Sequence, residues 1–275
     1  MSAIKKLQQN MESHNSLLCV GLDVDPKRMP KCCGDTIKGM CRFAIRIIEA
    51  TSDIVAAYKP NMGFFEALGP DGLSLLKLIC QRIPKETTII LDGKRGDIGH
   101  TGDFYAKAIF EIYGADWTTV NPYMGYDSVR PFLEYKDKGA FVLCLTSNPG
   151  ARDFQQQDVY NHPLYHHVAR KASSWNKDNN CGLVVGATYP DQMTKIREAA
   201  DEMPILIPGV GAQGGDLEKA VMGGTDGFKK PAIINVSRSV LYASAEDDFD
   251  LAARAVVEKL NGQINSLRKP DTTDQ

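Results

Sequence analysis

Eight short apolar runs recur along the chain, with helical patterns between them. They are Leu17 to Leu22, Ile54 to Tyr58, Thr88 to Leu91, Trp117 to Val120, Ala140 to Leu145, Gly182 to Gly186, Ile205 to Ile207 and Ala232 to Val236. Most are aliphatic or β-branched and lack clean polar–apolar alternation, which is the pattern of parallel strands buried on both faces. The segments between them repeat apolar residues about every 3.6 positions. Asp35 reads as an N-cap before Ile37, Met40, Cys41, Ala44, Ile45 and Ile48. Asp127, Asp191, Asp216 and Asp248 open further helices, and another is expected over Leu164 to Trp175. Strand–helix alternation repeated eight times predicts an α/β fold, a single-domain (β/α)8 TIM barrel, with a doubly wound open sheet as the competitor. The barrel with its N-terminal helix is expected over residues 1–267 of the 275, and residues 268–275 as a disordered tail.

Charge and cysteine usage narrow the function classes. A net charge of −2 gives no general basic surface for nucleic acid or anionic membrane, so any anion must be bound locally. No apolar run approaches membrane-spanning length, and the start Met1-Ser2-Ala3-Ile4-Lys5-Lys6 lacks the apolar core of a signal segment. The seven cysteines are scattered, with Cys32-Cys33 adjacent and no Cys-x-x-Cys pair. Reduced thiols in a cytoplasmic protein fit this better than disulfides or zinc.

The third strand ends in Leu91-Asp92-Gly93-Lys94-Arg95-Gly96-Asp97-Ile98. On a strand, the i, i+2 spacing of Asp92 and Lys94 sends both side chains to one face. The C-terminal strand ends of a barrel form its active-site mouth. Asp23 after the first strand, Lys59 after the second, and Asp92, Lys94 and Asp97 around the third therefore converge on one mouth. A salt-bridge network closing the barrel top is the bland alternative. Five charges gathered there are costly to build for stability alone, so a reaction centre is the better reading.

A second set lies across the mouth. Pro208-Gly209-Val210-Gly211-Ala212-Gln213-Gly214-Gly215-Asp216 runs from the seventh strand into a helix, and the eighth ends in Asn235-Val236-Ser237-Arg238-Ser239. Loops after these two strands are the usual barrel phosphate site. Backbone N–H groups near Gly211, the Gln213 amide, Ser237 and a bidentate Arg238 suit a phosphate. The alternative is a tight turn beside a surface arginine. Gly209 to Gly214 also fits G-x-G-x-x-G. A dinucleotide site is rejected, because the motif lies in the penultimate unit and Asn235 stands where an acidic ribose ligand belongs.

Together these motifs resemble the orotidine 5'-phosphate decarboxylase family. Asp92-x-Lys94-x-x-Asp97 is shared with a wider suprafamily. The longer Asp-Gly-Lys-Arg-Gly-Asp-Ile with Thr101 resembles the second, bacterial-type subgroup. Gly21-Leu22-Asp23, Lys59-Pro60-Asn61, Thr146 to Gly150, Pro208 to Gln213 and Ser237-Arg238-Ser239 extend the likeness over nearly the whole barrel. The resemblance implies cofactor-free decarboxylation of orotidine 5'-phosphate to uridine 5'-phosphate, the last step of pyrimidine synthesis, with no metal. It implies that Lys94, Asp92, Asp97 and Lys59 are catalytic and that Ser147 contacts the pyrimidine edge, although Ser147 also reads as a plain Ser-Asn-Pro-Gly turn. It further implies a homodimer in which Asp97 and Thr101 reach into the neighbouring site, while Asp23, Lys59 and the neighbour's Thr101 hold ribose hydroxyls.

Two rivals keep the barrel. Mg2+-dependent sugar-phosphate decarboxylases and synthases of the same suprafamily carry an acid at the second strand's end, where this chain has Lys59. An inactive phosphate-ligand sensor would be expected to have lost Asp92, Lys94 or Asp97. A Schiff-base aldolase using Lys59 or Lys94 leaves the flanking acids without a purpose. His162, His166 and His167 lack a carboxylate at metal-ligand spacing, and His100 has no clear role. Trp117, Tyr123, Tyr126, Phe64 and Phe65 are expected in the core or at an interface.

Overall fold

The structure is a computed structural model that describes residues 1–200, 202–210, 216–225 and 231–268. Eight parallel strands close into a barrel in chain order, so the open sheet is excluded. They are β1 (Leu18–Gly21), β2 (Ala57–Lys59), β3 (Thr88–Arg95), β4 (Trp117–Val120), β5 (Gly139–Leu145), β6 (Cys181–Val185), β7 (Ile205–Pro208) and β8 (Ala232–Val236). Closure is direct: Cys19 of β1 pairs with Asn235 of β8 on one side and Ala57 of β2 on the other. The expected runs match β4 and β8 throughout. The largest differences are at β2, which starts three residues later and includes Lys59, and β3, which continues through the charged motif to Arg95.

Each strand sends one buried side chain into a plug: Cys19, Ala57, Ile90, Trp117, Phe141, Val184, Leu206 and Ile233. Ala3 and Leu7 of the N-terminal helix Ala3–Ser13 close its lower end. The strand period is two residues, so the next inward layer holds Gly21, Lys59, Asp92, Thr119 and Asn235. A dry floor therefore lies directly beneath a polar layer, and the fold itself raises the charged groups into the mouth.

The helix signals hold with local corrections. Thr36, not Asp35, caps the helix Ile37–Thr51, its hydroxyl accepting the Gly39 N–H at 3.2 Å. Asp127 lies in the first turn of Tyr126–Leu133, where Gly125 is the N-cap. Asp248 precedes Phe249–Leu267, but its carboxylate accepts from the Ser244 hydroxyl at 2.6 Å instead of capping the helix. Leu164–Trp175 is helical as expected, and the segment before it holds a short helix, Ala151–Phe154, and a hairpin pairing Val159 with His162. Arg268, expected to begin the tail, instead donates to Asn15 Oδ1 at 3.2 Å; residues 269–275 lie outside the described residues. Among the described residues no helix is long and apolar enough to cross a membrane. All seven cysteines are free, and burial pushes the Cys19, Cys80 and Cys181 thiols up to about 12.

Candidate active site

The centre of the mouth is built by a bulge in β3. Leu91 pairs with Thr118 of β4, yet the next pair is Arg95 with Val120. Asp92, Gly93 and Lys94 thus stand opposite Thr119 alone. Lys94 takes a left-handed backbone, φ +47°. For a non-glycine residue this costs about 1–2 kcal/mol, the kind of strain that concentrates at functional sites. The expectation that Asp92 and Lys94 share a face is met, but simple strand alternation is not the reason. The bulge turns the lysine back over the carboxylate.

Asp92 is gripped from several directions. Lys59 Nζ donates to Oδ2 at 2.9 Å and Lys94 Nζ to Oδ1 at 2.7 Å. The Thr119 hydroxyl also donates to Oδ1, at 2.7 Å. Lys59 and Asp92 are buried, whereas the Lys94 side chain is 47% exposed. Burial alone would raise the Asp92 carboxyl, but the charges of Lys59 and Lys94 and their hydrogen bonds hold it far below the usual range. Burial would likewise lower Lys59, but Asp92 and then Asp23 drive it well above its ordinary value. Lys59 and Asp92 are therefore both charged at neutral pH. A donor set of two ammoniums on one carboxylate suits an anion above it, not a divalent cation.

Around this centre lie buried oxygen atoms with no partner among the described residues: Asp23 Oδ1, Ser147 Oγ, Thr188 Oγ1, Asn235 Oδ1 and Ser237 Oγ. Buried polar atoms are normally satisfied, so a cluster of exceptions marks a surface shaped for a polar ligand. Close packing holds two of them in place. A Cβ at Gly186 would lie 2.1 Å from Ser147 Oγ, and one at Gly21 would lie 2.8 Å from Ser237 Cβ. Glycine lets the loops after β5 and β8 fold inward there. The Tyr242 hydroxyl fixes the loop after β1 by donating to the Asp23 carbonyl at 3.1 Å.

Other candidates fall differently. Arg238 is exposed and heads the short helix Arg238–Leu241 after β8, with Ser237 as its N-cap. Gly211 and Gln213 lie outside the described residues. Asp97 does not join the charged centre, which corrects the expected convergence of five charges within one chain. Its Oδ1 accepts the Ile98 N–H at 2.8 Å, and among the described residues it forms no ion pair. Thr101 is exposed on Gly99–Lys107. Sequence reasoning missed Thr119 and passed over Asn235 as a ligand. Their signal was positional: each lies two residues beyond a plug residue on its strand.

The features set aside are elsewhere. His162 and His166 stack with ring centroids 4.8 Å apart, and His167 contacts the Val159 carbonyl at 2.6 Å. Among the described residues no group of three or more His, Cys, Asp or Glu side chains is arranged to hold a metal. Trp117 and Phe65 are core, while Tyr123 is 77% exposed.

Fold and site together define a (β/α)8-barrel enzyme with a cluster of fixed charges at its mouth. The chain belongs to the orotidine 5'-phosphate decarboxylase / HUMPS family, whose family model matches residues 16–250. It is 49% identical to the orotidine 5'-phosphate decarboxylase of Herpetosiphon aurantiacus over 269 residues, covering 97% of this chain and 99% of that one. It is 46% identical to the Dehalococcoides mccartyi (strain 195) enzyme of the same name over 275 residues, covering 98% and 99%. The solved Leishmania donovani OMP decarboxylase superposes with a TM-score of 0.85 at 38% identity, covering 98% of this chain and 99% of that one.

Proposed function

We propose that this chain decarboxylates orotidine 5'-phosphate to uridine 5'-phosphate, completing pyrimidine nucleotide synthesis, with Lys94 as the proton donor. The observation that carries this reading is the Asp92 carboxylate clamped between Lys59 at 2.9 Å and Lys94 at 2.7 Å on the barrel mouth.

The chemistry follows from charge. The C6–carboxylate bond breaks, CO2 leaves, and the bonding pair stays on C6 in the ring plane, with no ordinary π system to receive it. A fixed ammonium beside that atom stabilises the pair where bulk water must first reorganise. A substrate carboxylate held about 4 Å from Asp92 feels roughly 4 kcal/mol of repulsion at an effective dielectric of 20. Departure of CO2 relieves it, so the interaction separates ground state from transition state. Lys94 then transfers a proton from Nζ to C6. Its half-exposed side chain takes a new proton from water.

Arg238, Gln213, Ser237 and the backbone near Gly211 are assigned to the phosphate, Ser147 to the pyrimidine edge, and Asp23 with Lys59 to the ribose. Asp97 and Thr101 are assigned to the second subunit of a homodimer. This is supported by Asp97 making, among the described residues, no hydrogen bond or ion pair with Lys59, Asp92 or Lys94 of its own chain. The same segment also exposes Ile98 and Phe104, 56% and 61% respectively, which suits a protein contact. A cytoplasmic setting fits seven free thiols.

The family also includes metal-dependent enzymes, and Lys59 favours the metal-free reading. Its ammonium lies against Asp92 at the end of β2. The test is loss of orotidine 5'-phosphate absorbance by purified protein stripped of metal with a chelator. Full turnover without metal is expected. Activity that appears only on adding Mg2+, or none under either condition, overturns the reading.

A further inference from the structure

We infer that Thr119 is a positioning residue of this active site: its hydroxyl sets the Asp92 carboxylate and the Lys94 backbone relative to each other. The inference rests on the decarboxylase reading above and adds a residue to it.

The bulge makes such a group necessary. A regular parallel pair would give each β3 N–H a carbonyl partner on a neighbouring strand. Asp92 keeps one, donating to the Pro60 carbonyl at 2.9 Å, and the β4 side resumes where the Asn121 N–H donates to the Arg95 carbonyl at 2.7 Å. Lys94 lies between them with three residues facing one, and its N–H donates to the Thr119 hydroxyl at 2.9 Å. The same oxygen carries the hydrogen donated to Asp92 Oδ1 at 2.7 Å. A single hydroxyl thus accepts from one end of the Asp92–Lys94 pair and donates to the other. Thr119 is 1% exposed, so water does not readily take over either bond.

The consequence is geometric. Lys94 holds its left-handed backbone only while its N–H has a partner in the bulge. Asp92 Oδ1 accepts from both Thr119 and Lys94 Nζ, so the threonine also fixes which way the carboxylate plane faces. Lys59 holds only the other oxygen. Loss of the hydroxyl leaves Asp92 hinged on Lys59 and Lys94 free to relax. Proton transfer to a ring carbon is sensitive to such a shift, and a 1 Å misplacement costs about 100-fold. Phosphate and ribose contacts lie on other strands and are left in place.

The experiment compares Thr119→Ser, which keeps the hydroxyl, with Thr119→Val and Thr119→Cys, which remove a good donor at similar volume. Each is measured for kcat and KM on orotidine 5'-phosphate, for uridine 5'-phosphate binding by calorimetry, and for thermal unfolding. Thr119→Val and Thr119→Cys are expected to lose at least ~100-fold in kcat, with KM and product affinity within about threefold of the parent. Thr119→Ser is expected to retain kcat within about threefold. A merely structural role would lower product affinity and kcat together, or would leave Ser as impaired as Val. Either result overturns the inference, as does a Val or Cys variant with parental kcat. If the Val variant fails to fold, the Cys and Ser pair carries the comparison. Wild-type turnover of orotidine 5'-phosphate is the control: its absence defeats the decarboxylase reading, whereas its presence beside a fully active Val variant defeats only the role of Thr119.

Discussion

Lys94 Nζ lies 2.7 Å from Asp92 Oδ1 even though the two residues share a β-bulge in which the lysine backbone is left-handed. The side chain is thus directed inward by a bulge and not by strand alternation. With Lys59 on the other oxygen, the cluster carries two positive charges against one negative. Asp92 neutralises one and the second remains available to an anion above it. The two lysines also differ in burial, and that difference separates their contributions to turnover and to stability.

Lys94→Ala should abolish decarboxylation and leave the fold intact. The Lys94 side chain is 47% exposed, and Asp92 keeps its bonds to Lys59 and Thr119 without it. Loss of the proton donor and of the charge beside C6 is expected to lower kcat by at least ~10^4-fold. Circular dichroism and the melting temperature should change little. Near-parental turnover by this variant would remove Lys94 from the chemistry.

The Lys59–Asp92 pair should instead register in stability. Both side chains are buried, at 5% and 9% exposure, and truncating one leaves the other charge poorly compensated. Asp92→Asn is expected to cost about 3–5 kcal/mol in urea unfolding. Lys59→Met is expected near the lower end of that range, because Asp92 retains Lys94 and Thr119. The double variant should recover part of the sum, since the unpaired charge then disappears with its partner. Strict additivity would show that the two groups do not interact.

The same pair sets a pH window. Asp92 is lowered in the fold, against the effect of burial, chiefly by Lys59 and then Lys94. Its contribution is present above the unfolded carboxyl value of about 3.9 and fades as pH falls through the lower folded value. Lys59 is raised, again against burial, by Asp92 and then Asp23. Its contribution is complete below about pH 10.4 and is lost only as pH rises through the higher folded value. The stability difference between the parent and Asp92→Asn should therefore stay flat between about pH 5 and 9 and shrink below about pH 4. A difference that changes through neutrality would contradict this assignment of charges.

Much of this was legible in sequence, for identifiable reasons. Buried parallel strands read as unbroken apolar runs, so Trp117 to Val120 and Ala232 to Val236 could be delimited directly. Lys59 and Asp92 could be placed on the mouth because both follow such runs. The bulge was not legible: Asp92-Gly93-Lys94 looks the same whether Lys94 is extended or left-handed, and only the register with β4 distinguishes them. Thr119 was hidden because a threonine inside an apolar strand reads as β propensity. The separation of Asp97 from the charged centre depends on the path after Arg95, on which spacing is silent.

That separation yields a complementation test. If Asp97 serves the neighbouring subunit's site while Lys94 serves its own, Lys94→Ala and Asp97→Asn should each be inactive alone. Random reassortment at equal mixing places one intact site in half of the dimers, which is about one quarter of parental activity. Mass spectrometry of tagged subunits checks that exchange has occurred. Full exchange without recovered activity would return Asp97 to its own chain's site, and an active Asp97→Asn enzyme would remove it from the chemistry.

Gly186 offers the sharpest test of the pyrimidine side. It follows β6, and a Cβ there would lie 2.1 Å from Ser147 Oγ and 2.9 Å from the Ser147 backbone nitrogen. The second contact involves main chain, so rotating the serine alone does not relieve it. Gly186→Ala must move the loop after β5 that carries Ser147. The expected result is a KM for orotidine 5'-phosphate raised by about tenfold or more, exceeding the effect of Ser147→Ala, because a whole loop is displaced and not one hydroxyl removed. The double variant Ser147→Ala/Gly186→Ala should resemble Gly186→Ala alone, since the displaced loop no longer presents the serine. A Gly186→Ala enzyme with parental KM would mean that Ser147 does not meet the substrate from the position it holds here.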